Sequence, residues 1–191
     1  PFHKLVDPAN VLLLWHGNPS GDVIDTIMQT GASTLAKKGD TGFFGNGIYL
    51  TPQMKYALTY ATRLTQGPPL QEGKEFHVLL CATVIGQAYP VTIEGDYYPP
   101  SCANGTFMKE DCKLYGQPIL TNPKCDAHYA QITVANNFLS STTPGQFDFE
   151  EIVVDEVAAL PFAKVQVELT DRDEFLKMFE PDDTLHTYEV P

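Results

Sequence analysis

Basic residues are scarce in this chain of 191 residues: 12 Lys and Arg stand against 24 Asp and Glu, a formal net charge of −12. No cationic stripe can be assembled to neutralise a phosphate backbone, so direct nucleic-acid binding by this segment is not expected. Long apolar runs are missing as well. "VLLLW" and "HVLLCATVIG" have the length of buried strands, well short of the roughly eighteen apolar residues of a membrane span, and no membrane partner is expected. Internal repeats are absent. So are an initiator Met and a signal-like start in "PFHKLVDPAN". That start suggests a fragment or a processed form, and a nuclear or cytoplasmic setting is favoured.

Four cysteines are too few to scaffold a chain of this size with disulfides. Cys81 lies inside "VLLCATV", where a thiol acts as a small core hydrophobe. Cys102, Cys112 and Cys125 precede His128 with the spacing C-x9-C-x12-C-x2-H. The residue types suit zinc, but the paired close spacings of a zinc site are missing, so thiols are favoured and no metal is expected. A less favoured reading joins Cys102 to Cys112, with Asn104-Gly105-Thr106 as a glycosylation sequon in a secreted protein.

What is present is enough apolar residue, 43%, for one sizeable core. We read residues 1–170 as one domain and 171–191 as an acidic C-terminal helix and tail. "NVLLLWHG" reads as a short buried strand. "SGDVIDTIMQTG" reads as a helix, with Ser20 as N-cap, Val23, Ile24, Ile27 and Met28 on one face, and Gly31 as stop. "GIYLT" is a brief strand, and Thr51-Pro52 a helix start. In the following helix Met54, Ala57, Leu58, Ala61 and Leu64 line one face, with Tyr56 and Tyr60 in a neighbouring stripe. "FHVLLCATVIGQAY" reads as a central strand covered on both sides. Residues 86–127 read as one long proline-rich loop. "AQITV" is a strand, "FDFEEIVVDEVAAL" a strand broken near Asp155, and "AKVQVEL" a strand with Val165, Val167 and Leu169 on one face. The order describes a strand-rich α+β domain, without the regular alternation that builds a parallel doubly wound sheet.

Gly42, Gly45 and Gly47 spell G-x-x-G-x-G and lead into a strand. They match neither G-x-G-x-x-G nor G-x-x-x-x-G-K-[ST], so both phosphate-loop readings fail, and a close backbone approach remains. Three polar side chains sit where core strands prefer none: His16, Tyr49 and Glu150. Taken singly, a satisfied core histidine, a core aromatic and a solvent-facing glutamate are the better readings.

Together, and in their local words, they resemble a known family. "LLLWHG", "GxFGxGIYLT" some thirty residues on, a tyrosine-bearing helix, "VLLCATVIGQAY" and an acidic residue before a β-branched run look like the catalytic domain of the poly(ADP-ribose) polymerase family. This is the diphtheria-toxin-like, His-Tyr-Glu class of ADP-ribosyltransferases, and the resemblance spans residues 10–169. It implies the ADP-ribosyltransferase fold, a split pair of antiparallel β-sheets with flanking helices that clamps NAD+ as substrate. It implies that His16 bonds the adenine-side ribose, Gly17 the nicotinamide carboxamide, and that Tyr49 and Tyr60 sandwich the nicotinamide ring. Glu150, counted back from "IVVD", would stabilise the oxocarbenium-like charge, with Glu151 its neighbour one register step away.

The resemblance also marks departures. A serine common eight residues after the triad tyrosine is Ala57 here, and a lysine common before it is Tyr56. Transfer of ADP-ribose to protein side chains, the protein's own included, is the expected activity, with polymer formation left open by the glutamate. An NAD+ glycohydrolase and an inactive NAD-site interaction module are the alternatives.

Overall fold

The computed structural model describes residues 10–32, 42–63, 71–98, 111–119, 125–133, 139–140 and 147–177. Within them the chain is a mixed α+β protein with two sheets. The first sheet has three strands in the order β1 (Asn10–Gly17), β3 (Glu75–Ile85), β8 (Ala159–Glu168), all antiparallel. The second runs β2 (Ile48–Leu50), β7 (Phe149–Val154), β5 (Ala127–Thr133), β4 (Ala88–Pro90), with β6 (Leu139–Ser140) also on β5. β4 and β5 are parallel; the other pairings are antiparallel.

β1 departs from its expected burial. It forms an edge, with Val11, Leu12 and Leu13 exposed and Leu14 buried. A continuous apolar run says that a strand forms but not how many faces are covered. β3 is central, as its pattern suggests, yet its burial alternates and Val84 is exposed.

Helix α1 (Gly21–Thr30) follows its sequence signals. The Ser20 hydroxyl accepts from the Val23 N–H at 3.4 Å, and Gly31, at φ 84°, closes the helix through its N–H to the Ile27 carbonyl. Ile24 is fully buried against Leu14, Leu79 and Cys81, a burial worth roughly 1.5–3 kcal/mol. Val23 stays exposed. Helix α2 (Met54–Thr62) starts later than Thr51-Pro52 implies: Gln53 is its N-cap. Thr51 belongs to a bridge between the sheets, its backbone exchanging N–H···O bonds of 2.9 and 2.7 Å with Trp15. Ala57, Leu58 and Ala61 pack on Phe76, Val78 and Leu169, whereas Tyr56 packs into a second cluster with Phe44 and Phe149. Leu64 lies outside the described residues.

The expected loop over 86–127 contains structure: β4, helix α3 (Ile93–Asp96) and an isolated bridge from Tyr97 to Cys112. Pro90 ends an element instead of excluding it, as the last residue of an edge strand. A 3₁₀ turn at Glu156–Ala158 makes the break expected near Asp155. Leu169 is buried and Val165 and Val167 are half-buried against α2's cluster, as their alternation predicts. Helix α4 (Arg172–Lys177) opens the acidic C-terminal stretch.

Cys81, Cys112 and Cys125 are buried free thiols, and burial pushes the first two up to about 11. Cys102 and the Asn104 sequon lie outside the described residues. Among the described residues no helix is long and apolar enough to cross a membrane.

Candidate active site

The site starts from the Trp15–Thr51 bridge, which holds the end of β1 against the end of β2. One residue beyond Trp15, the His16 ring bonds through Nδ1 to the Tyr49 carbonyl at 2.9 Å. Gly17 follows, where the chain presses on α2. A Cβ there would overlap the Ala57 carbonyl oxygen and stand 3.2 Å from the Tyr60 Cβ. No larger residue permits this approach. His16, Gly17, Tyr49, Ala57 and Tyr60, distant in sequence, thus come together through one bridge and one close packing contact.

The glycine-rich segment forms a wall beside them. Gly42 and Gly45 adopt φ of 72° and 118°, a region that favours glycine. A Cβ on Gly45 would come within 2.7 Å of the His128 ring, and one on Gly47 within 2.6 Å of the Val154 carbonyl. The Tyr49 hydroxyl completes the turn, donating to the Gly45 carbonyl and accepting from the Phe44 N–H, both at 2.8 Å. The segment brings backbone close to strands, as its glycines indicate.

Buried His128 props this wall through Nδ1 to the Phe44 carbonyl at 2.6 Å. A carbonyl can only accept, so Nδ1 carries the proton. Burial lowers the His128 pKa below 6.5, so the folded protein favours the neutral ring. The stability this contributes is complete above pH 6.5 and lost as pH falls through 6.5 towards the folded value. Thermal midpoints are expected to drop between pH 7.5 and 5, with a shallower dependence in His128→Gln.

The two adjacent glutamates part company. Tyr49 pairs with Val153 across β2 and β7, and side chains alternate, so Phe149, Glu151 and Val153 share the face of Tyr49 while Glu150 and Ile152 share the other. Glu150, the expected site carboxylate, therefore faces away from Tyr49. It accepts from the Tyr129 hydroxyl at 2.8 Å and from Gln53 Nε2 at 3.3 Å, and it lines an apolar groove of about 360 Å³ with Leu13, Pro52 and Ile152. Counting back from "IVVD" names a residue of β7 but cannot say which of two neighbours shares the face of Tyr49.

Glu151 is the carboxylate on the Tyr49 face, and it is 4% exposed. Its Oε2 accepts from the Tyr56 hydroxyl at 2.9 Å and the Tyr60 hydroxyl at 3.1 Å, and those hydroxyls are 3.0 Å apart. Hydrogen bonds to a charged group are worth roughly 1.5–3 kcal/mol each, the right order to hold a carboxylate out of water. Burial, and then the Glu151 charge, raise the Tyr56 pKa well above 10, so Tyr56 remains a donor. Tyr56 is buried, its ring stacked on Phe149 at 4.8 Å and 12°, while Tyr60 is 46% exposed and meets it edge-on at 5.4 Å. The i, i+4 spacing of the tyrosines signalled that they share a stripe; the partner they share was not legible.

A cleft of about 350 Å³ lies between Asn18, Gly21, Ala61, Arg63 and His77, with Asn18 and Ala61 next in the chain to Gly17 and Tyr60. Among the described residues no group of His, Cys, Asp and Glu is arranged to hold a metal. No family model matches the chain, and no curated protein matches it.

Proposed function

We propose that the protein is an NAD+-dependent ADP-ribosyltransferase of the His-Tyr-Glu class, with the ADP-ribosyltransferase fold. One observation carries the reading: a buried carboxylate on the Tyr49 face, bonded to Tyr60, where Gly17 meets α2 beside His16. An NAD+ site needs a flat aromatic surface for nicotinamide, backbone polar groups for its carboxamide and an anion beside the scissile bond.

In this proposal Tyr60, half exposed, and Tyr49 hold the nicotinamide ring, and Gly17 supplies the carboxamide contacts. Ala57 leaves that ligand without a side-chain hydroxyl at its position. His16, its Nδ1 already on the Tyr49 carbonyl, presents the other ring nitrogen to a ribose hydroxyl. The carboxylate role passes from Glu150 to Glu151, because Glu151 shares the face of Tyr49. As the bond from C1′ to the nicotinamide nitrogen breaks, nicotinamide leaves with the electron pair. Glu151 stabilises the positive charge left on the ribose, the logic also used by glycoside hydrolases. The acceptor then attacks C1′ and releases its proton to water.

The test is to incubate the protein with labelled NAD+ and resolve protein-bound monomer, protein-bound polymer and free ADP-ribose. Protein-bound label supports transfer to protein side chains. Free ADP-ribose alone makes the protein a glycohydrolase. No turnover, with no NAD+ or nicotinamide binding by calorimetry, leaves an interaction module and overturns the proposal.

A further inference from the structure

We infer that Tyr56 is a positioning residue that fixes the Glu151 carboxylate for the ADP-ribosyl transfer proposed above, on which the inference rests. Tyr56 is closed off from solvent, whereas Tyr60 is exposed. Tyr56 is 2% exposed, and its hydroxyl is spent on Glu151 Oε2 and the Tyr60 hydroxyl.

Two features make this a device for orientation rather than packing alone. Hydrophobic packing of the ring against Phe149 would be served equally by phenylalanine, so the hydroxyl is the informative part. A carboxylate rotates about its last bond, and two hydroxyls converging on one oxygen from one helix define that rotation. Tyr60 lies at the rim and contacts the ligand in the proposed reaction; Tyr56 holds the same oxygen from the core, whatever Tyr60 does. The ionisable Tyr56 and Tyr60 bond to Glu151; Tyr49 and His128, both opposite Val153, lie on the same face of the sheet, and Lys55 Nζ stands 5.5 Å from the centre of the neighbouring Phe149 ring.

Tyr56→Phe keeps the ring and removes the hydroxyl. With NAD+, kcat is expected to fall about 10- to 100-fold, the equivalent of one hydrogen bond to a charge, with KM changed less than about twofold, since in the proposed roles the NAD+ contacts of Tyr60 and Gly17 stay in place. The acid limb of the pH–rate profile should move upward, because a carboxylate that loses a donor is easier to protonate. Tyr129→Phe, which removes a hydroxyl bonded to Glu150 and Gln131 and not to Glu151, should leave kcat unchanged. A readout independent of turnover is the titration of the Glu151 side-chain carboxyl by carbon-13 NMR in the unliganded protein: its pKa should rise in Tyr56→Phe. Should that variant fold poorly, Tyr60→Phe, at the exposed position, should move the same titration upward. An unmoved Glu151 titration in both variants overturns the inference, as does a kcat that follows Tyr129→Phe instead of Tyr56→Phe. Wild-type protein that neither binds nor consumes NAD+ overturns the functional proposal, and the NMR result still judges the clamp.

Discussion

Glu151→Gln is expected to reduce ADP-ribosyl transfer by about 100- to 1000-fold, the usual effect of removing one preorganised electrostatic contact with a transition state, while Glu150→Gln stays within about threefold of wild type. The contrast follows from strand geometry. Two neighbours on β7 face opposite ways, one to Tyr56 and Tyr60, the other to Tyr129 and Gln53. Glutamine retains the size and one acceptor oxygen but carries no charge to meet a developing cation. Binding of NAD+, read by calorimetry, should survive in both variants, because the aromatic and backbone contacts proposed for the ligand are untouched. Single-turnover rates with labelled NAD+ separate the two outcomes, and a loss confined to Glu150→Gln would return the role to Glu150.

Gly17→Ala is expected to damage both fold and binding. The added Cβ would overlap the backbone carbonyl of Ala57, an atom that cannot rotate aside, so β1 and α2 must separate. Overpacking of this kind costs roughly 1–3 kcal/mol, a fall in thermal midpoint of about 2–10 °C for a domain of this length. Nicotinamide binding should fall below detection, since the separation occurs at the proposed carboxamide contact. Gly21→Ala is the control. Its nearest neighbour across the chain, the His77 ring, is 3.9 Å from the added Cβ. Alanine at this first helical position should be neutral or stabilise by roughly 0.4–1 kcal/mol. Equal melting of the two variants would remove the packing argument for Gly17.

Local chemistry made much of this architecture readable. Ser20 and Gly31 delimit α1 because a hydroxyl N-cap and a positive-φ glycine act within one helical turn. The alternation of Val165, Val167 and Leu169 assigned their face because strand side chains repeat every two residues. Failures occurred where partners are remote. Val11 and Leu13 read as buried, yet β1 became an edge, since apolarity does not record which neighbours arrive. Thr51-Pro52 read as a helix cap, but Thr51 was recruited by Trp15, a partner 36 positions earlier.

The same division runs through the candidate site. The sequence by itself determined which residues are available: a histidine ending a strand, glycines that permit close approach, tyrosines four apart on α2, and an acidic pair before a β-branched run. Tertiary structure alone decided which carboxylate meets the tyrosines. Facing in a strand reverses with every residue, and only the pairing of β7 with β2, Tyr49 opposite Val153, sets the phase of that alternation.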